Sequence, residues 1–269
     1  SHELRTPMNA ILGFAQMLEI DEELSADQKD SVHEIVKAGK HLLELINEVL
    51  DLAKIEAGRI DLSMESVGLP DLAQECERLV APLAARRSIT ITHEAAEGLA
   101  VFADRNRLRQ VLLNLLSNAV KYNVEGGQVR LAAHAAGDRK IRIAVRDTGP
   151  GIAAEKLPLL FQPFNRLGME GSNIEGTGIG LTIVRRLVEL MGGTVGVEST
   201  PGEGSTFWVE LAAATETKVS ADGTANGETP ACPACGTGAT VLAIDDNPTN
   251  LKLLTQMIGR ISVSYTHLT

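Results

Sequence analysis

The sequence has few cysteines, no long apolar run and no excess of positive charge, and each shortage closes off a class of function. Cys76, Cys232 and Cys235 are its only cysteines. They are too few for a disulfide framework, so a reducing, cytoplasmic setting is expected. Cys232 and Cys235 form a lone C-x-x-C pair, half of what a structural zinc site needs. With no second pair or nearby histidine it reads as linker. No stretch approaches the roughly 18 apolar residues of a membrane-spanning helix, and no signal peptide is visible. The chain begins at Ser1 without a methionine and reads as a fragment, so any membrane anchor is expected only upstream. A formal net charge of -10 argues against a nucleic-acid backbone or an anionic membrane as the main partner. What is present is 44% hydrophobic residues over 269 positions, enough for one or two globular cores.

The hydrophobic pattern divides the chain in four. Residues 1–62 read as a hairpin of two helices, with "DEELSADQKDS" supplying the turn and caps. In the second helix Val32, Ile35, Gly39, Leu42, Ile46, Val49 and Ala53 step alternately by three and four, a coiled-coil seam. Leu43 and Leu50 widen that stripe beyond one short partner, so two chains are expected to form a four-helix bundle. Packing against the rest of the same chain is the alternative. Residues 66–214 mix strands and helices. "SITITHEA" and "GQVRLAAHAAGDRKIRIAVRDTG" alternate like strands, the latter as two joined at Gly137-Asp138, and "GGTVGVEST" and "GSTFWVELAAA" read as closing strands. "RNRLRQVLLNLLSNAVKY" and "LTIVRRLVELMGG" are helical. The fold class is α+β, a helical hairpin followed by a two-layer α/β sandwich. Residues 215–237 have linker composition, and 238–269 read as a buried strand, an acidic turn and the start of a helix.

In "RQVLLNLLSNAVKY" the residues Asn114, Asn118, Lys121 and Tyr122 share one helix face, with Leu112, Leu115, Leu116 and Ala119 on the other. Two carboxamides, an ammonium and an aromatic ring suit a nucleotide: amide oxygens are hard ligands for magnesium, lysine pairs with phosphate, and tyrosine can stack on a base. The same stripe would also serve as an ordinary solvated face. Two glycine loops favour the nucleotide. "VRDTGPGI" ends a strand on Asp147, whose carboxylate can accept from an exocyclic amino group, while Gly149 and Gly151 admit a flat base. "EGTGIGL", with Gly176, Gly178 and Gly180, runs into a helix whose free amides favour phosphate. It is neither a P-loop nor a dinucleotide fingerprint. Between them Phe161 and Phe164 can anchor a segment loosened by Gly168, Gly171 and Ser172, a candidate lid or an ordinary surface loop.

With ATP proposed, "SHELRTP" acquires a purpose. A neutral imidazole, such as that of His2, is a competent nucleophile near its ordinary pKa of about 6.5. Glu3 can hold or take the proton on the other ring nitrogen. Thr6, one turn below, can position a water for the reverse hydrolysis, and Pro7 should bend the helix beside His2.

These segments resemble the bacterial sensor histidine kinases, in the family's order and over residues 1–214. "SHELRTPMNAI" is similar to the phosphoacceptor box, "QVLLNLLSNAVKYN" to the asparagine box, "DTGPGI" and "GTGIGLTIV" to the two glycine boxes, and "LFQPFNRL" to the phenylalanine box. The resemblance implies a dimerisation and phosphotransfer hairpin and an ATP-binding domain of the gyrase and chaperone type. It implies that His2 takes the γ-phosphate, Glu3 acts as base and Thr6 serves a phosphatase activity. Asn114 would hold Mg2+, Asn118 and Lys121 the phosphates, and Tyr122 would cover the adenine. Asp147 would bind the adenine amino group, with Thr206 helping through water. The expected partners are a second copy of the chain and a response-regulator receiver. "VLAIDDNPTNLKLL" resembles the start of a receiver, with Asp245 and Asp246 as its acidic pair, which implies a hybrid kinase; the piece is too short to hold an acceptor aspartate. Two alternatives stand beside the kinase. A hydrolytic ATPase of the same fold would need a base on the asparagine helix, where Gln110 stands and no Glu occurs from Arg105 to Asn123. A nucleotide-binding dimeric pseudokinase would work by conformation alone.

Overall fold

A computed structural model of the chain describes residues 2–21, 24–58, 61–95, 98–137, 139–166 and 176–214. They divide into two compact units, one ending at Asn47 and the other beginning at Glu48.

The first unit is a helical hairpin. Helix α1 spans His2–Glu19 and α2 spans Ala26–Glu56. A reciprocal cap opens α2: the Ser25 N–H donates to Gln28 Oε1 at 2.9 Å, and the Gln28 N–H donates back to Ser25 Oγ at 3.4 Å. Pro7 lies inside α1 and the helix is unbroken across it, so the loosening expected beside His2 amounts to one absent hydrogen bond in the opening turns. The two helices meet through Leu12, Ala15, Val32 and Val36, all buried. They approach so closely at Gly39 that a Cβ there would lie 2.7 Å from Leu12 Cδ2. The seam read along α2 is split by this packing. Val32 and Gly39 face α1, whereas Ile35, Leu42 and Val49, spaced by seven, stay 50%, 45% and 42% exposed. On α1 the row Leu4, Ile11 and Leu18, also spaced by seven, is exposed as well.

The second unit is a two-layer sandwich. Its strands are β1 (Met64–Gly68), β2 (Thr90–Ala95), β3 (Ala100–Asp104), β4 (Gln128–Ala135), β5 (Lys140–Asp147), β6 (Thr194–Thr200) and β7 (Gly204–Ala212). Its helices are α3 (Leu69–Ala85), α4 (Arg105–Lys121) and α5 (Gly180–Leu190), with a 3-10 helix at Ala154–Leu159. The main sheet runs β2-β4-β5-β7-β6, parallel only between β2 and β4, and β1 pairs with β3 in a small antiparallel ribbon. Strand alternation sorts the main sheet into two faces. Val129, Leu131, Ile141, Ile143, Val145, Phe207, Val209 and Leu211 are buried against Leu72, Leu108, Leu112, Leu115, Leu116, Ile183 and Leu187 of the helices. On the far face the Arg142 guanidinium lies 4.1 Å from the Trp208 ring and pairs with Glu210 at 2.7 Å.

The elements read from sequence in this unit are present, and β1, α3 and β3 join them. Asp104 sets the start of α4. Its carboxylate accepts from the N–H of Arg107 and of Ser63, both at 3.0 Å. Burial alone would raise its pKa; those amides and that of Asn106 outweigh it and hold the group below its ordinary value.

Candidate functional site

Helix α4 brings its polar stripe to one end of the sheet. Leu112, Leu115, Leu116 and Ala119 fill the core, so Asn114, Asn118, Lys121 and Tyr122 are turned outward, each half-buried. Two glycine segments close around this stripe. At the start of α5, Gly180 lies against the Asn114 carboxamide: a Cβ on it would stand 2.5 Å from Asn114 Oδ1. At Gly176 a Cβ would be 3.4 Å from the Tyr122 hydroxyl. Gly178 adopts φ +74°, a left-handed turn that glycine takes without penalty, and its carbonyl accepts from the Phe164 N–H at 3.1 Å. The Ile179 N–H donates to Thr177 Oγ1 at 3.2 Å, but among the described residues no side chain caps the amides that follow in α5, which are left for an anion.

The other end of the site is built on β5. Asp147, its last residue, is 7% exposed, and its Oδ1 accepts from the N–H of Gly149 at 2.9 Å and of Ser205 at 3.2 Å. Burial pushes its carboxyl above the ordinary range, and the two amides reduce that rise without cancelling it. Gly149 closes the gap between this carboxylate and α4, since a Cβ on it would lie 2.8 Å from the Tyr122 carbonyl oxygen. Gly151, at φ +70°, turns the chain against Thr200.

Most of the residues singled out from sequence converge here: Asn114 with Gly180, Tyr122 with Gly176, and Asp147 with Gly149. Thr206 is not brought to Asp147. It is in register with Arg146, on the sheet face opposite the helices. The neighbouring Ser205, 6% exposed, takes the position beside Asp147. Phe164 is no anchor either, being 62% exposed, and the buried foot of that segment is Leu160. Thr182 of α5 fastens it, donating from Oγ1 to the Phe161 carbonyl at 3.2 Å. Gly168, Gly171, Ser172, Asp245, Asp246, Cys232 and Cys235 lie outside the described residues. The backbones of His2 and Glu3 form the first turn of α1, with their side chains outside the description. Thr6 follows one turn on, half-buried, and next to it Arg5 Nε donates to Asn47 Oδ1 at 2.9 Å.

Asn123 was missed. It is 5% exposed, its Nδ2 donates to the Gln128 carbonyl at 3.0 Å, and its Oδ1 accepts from Thr148 Oγ1 at 3.2 Å. It thereby ties the end of α4 to the residue after Asp147. A polar Asn just past the last periodic residue is a helix-end signal, and the sequence carried it.

The donor set suits a nucleotide with a divalent cation. Among the described residues no three His, Cys, Asp or Glu side chains gather as a metal cluster. A cation at Asn114 would therefore draw on one amide oxygen, phosphate and water, which is how magnesium is commonly held. Gln110 is also engaged. Its amide nitrogen donates to Asp51 at 3.3 Å and its Oε1 accepts from Arg107 at 3.0 Å, so no carboxylate of α4 stands ready to activate water.

Comparison with known proteins shows what the two parts of the chain are similar to. Residues 103–215 match the family described as histidine kinase-, DNA gyrase B- and HSP90-like ATPase. Residues 1–58 match the His Kinase A phosphoacceptor domain. The sensor protein GacS of Pseudomonas syringae pv. syringae is 42% identical over 217 residues, 78% of this chain and 24% of that protein. This chain thus spans about a quarter of that relative's length. Among solved structures, full-length ShkA in complex with AMPPNP superposes with a TM-score of 0.68 at 39% identity, covering 80% of this chain and 44% of that one. The histidine kinase ThkA, in complex with the response regulator TrrA, does so with a TM-score of 0.58 at 27% identity, covering 81% and 60%.

Proposed function

The chain belongs to the sensor histidine kinase family, and we propose that it is the catalytic core of an ATP-dependent protein-histidine kinase of a two-component phosphorelay. The observation that carries the reading is the convergence of the Asn114 carboxamide, the uncapped start of α5 and the buried Asp147 on one site. Asp147 recognises the adenine amino group and Tyr122 covers the ring. Asn118 and Lys121 hold phosphates. Magnesium, held through the Asn114 oxygen, would supply charge neutralisation on the phosphates. The neutral His2 imidazole attacks the γ-phosphorus in line, and the bond to the bridging oxygen of ADP breaks. Glu3 takes the proton from the other ring nitrogen. The phosphoryl group then passes to an aspartate of a response regulator, the class of partner that ThkA holds in its complex with TrrA, and Thr6 positions water when the flow reverses. Gln110, engaged by Asp51 and Arg107, disfavours a water-activating ATPase.

The working unit is a homodimer. The uncovered rows Leu4-Ile11-Leu18 and Ile35-Leu42-Val49 repeat by seven on adjacent helices, the pattern a second hairpin would bury in a four-helix bundle. Among the described residues no helix is long and apolar enough to cross a membrane. The receiver-like stretch at 238–269 supports reading the full protein as a hybrid kinase.

Calorimetric titration with a non-hydrolysable ATP analogue tests the site, with and without magnesium. Wild type should bind about tenfold or more tightly with the metal present, and Asn114→Ala should lose that difference. Equal loss of binding with and without metal would place the cation elsewhere.

A further inference from the structure

Arg87 lies between α3 and β2, outside every motif of the family resemblance, yet its side chain reaches the end of the nucleotide-binding helix. Its Nη1 donates to the Val120 carbonyl at 2.6 Å and to that of Lys121 at 2.5 Å, and its Nη2 donates to the Asn123 carbonyl at 2.8 Å. These carbonyls belong to the last turn of α4 and the second residue beyond it, where no further turn supplies partners. A guanidinium there satisfies three acceptors with one planar fork and opposes the negative end of the helix dipole. The main chain of the same residue adds a fourth tie, since the Arg87 carbonyl accepts from the Gly126 N–H at 3.0 Å.

Arg87 is itself held in place. Its N–H donates to the Ala84 carbonyl at 3.0 Å, and Ser88 takes a left-handed φ of +53°, which ends α3 and turns the chain into β2. The cap therefore transfers the rigidity of α3 and the sheet to Lys121 and Tyr122. Tyr122 is the C-cap residue of α4, and its N–H donates to the Asn118 carbonyl at 2.9 Å. A frayed last turn would release Asn118, Lys121 and Tyr122 together.

The geometry points to Arg87 as a positioning residue for nucleotide binding, acting through the backbone of α4 without touching the ligand. This rests on the reading of Asn118, Lys121 and Tyr122 as nucleotide contacts. Lysine is a poor substitute because one ammonium cannot reproduce the fork.

The test compares wild type, Arg87→Met, Arg87→Lys and Val209→Ala, the last a core truncation in β7 that lowers stability by other means. Affinity for the magnesium complex of a non-hydrolysable ATP analogue is measured well below each melting temperature, with amide hydrogen exchange over residues 118–126. Arg87→Met should weaken binding about tenfold or more and accelerate exchange locally. Arg87→Lys should fall between it and wild type, and Val209→Ala should bind within twofold of wild type despite its lower melting temperature. Equal affinity in wild type and both Arg87 variants would overturn the inference, as would a loss no greater than that of Val209→Ala at matched stability. Should Arg87→Met not fold, Arg87→Lys alone decides by the same comparison. Wild type that binds no nucleotide would instead overturn the reading of the site itself, and the inference with it.

Discussion

The Asp147 carboxylate is nearly shut off from water, and what offsets its burial is two backbone amides, with a smaller contribution from the Arg146 charge. Its pKa is raised, first by burial. The folded state then holds the proton more tightly than the unfolded chain. Between the ordinary carboxylate value and the raised one, stability falls as pH rises, and above the raised value the ionised group is a cost to the fold. That cost is useful when the carboxylate meets an amino group. Asp147→Asn keeps an oxygen for Gly149 and Ser205 but loses the charge. It should melt at the same temperature as wild type or above it at pH 7, while binding ATP about ten- to a hundredfold more weakly, the range of about 1.5–3 kcal/mol expected for a charged hydrogen bond. Thermal melts beside ATP titrations read both effects. The sequence made Asp147 legible because a carboxylate ending a strand before two glycines has a narrow set of uses. Ser205 was not legible, because alternation along β7, and not residue type, decides which hydroxyl-bearing neighbour faces the site. Arg87 gave no signal either: in "AARRSIT" it is one of two adjacent arginines, and surface solvation accounts for such a pair equally well.

The order of elements was readable where one periodicity dominated. The β4–β5 hairpin alternates cleanly, and α4 separates its leucines from its amides, so both appear at the positions the pattern requires. Helix α3 was harder to place, with Pro70 at its first turn and Pro82 inside it, and the five-residue strands β1 and β3 are too short to establish a period. On α2 the stepping by three and four was correct as a stripe, but one stripe serves two neighbours. Val32 and Gly39 meet α1, and Ile35, Leu42 and Val49 are left over. Between elements, α5 fits tightly on α4 within the site. Gly180→Ala would put a methyl 2.5 Å from Asn114 Oδ1, closer than real contacts allow, so the carboxamide must rotate or α5 must retreat. The variant should remain folded and lose about tenfold or more of its magnesium-dependent affinity, measured by the same calorimetry. The cost falls on the pairing of the two boxes and not on either helix.

At the scale of the whole molecule, the hairpin calls for a second chain. Exposed apolar rows in heptad register on both hairpin helices are more than a lone hairpin leaves to water without consequence. Ile11→Lys combined with Leu42→Lys places charges in both rows while sparing Leu12, Val32 and Val36. Light scattering after size exclusion should then report a monomer where wild type is a dimer, and ATP affinity should stay within about twofold, because the site lies within the unit that begins at Glu48. A dimer surviving both changes would mean that another surface associates.

The central claim is that this site exists to phosphorylate His2. The most direct measurement incubates the chain with γ-labelled ATP and magnesium, beside His2→Gln and Asn114→Ala. Wild type should carry protein-bound label that is acid-labile and base-stable, and both variants should carry none. Steady ATP hydrolysis that continues unchanged in His2→Gln, with no label on the protein, would contradict that claim.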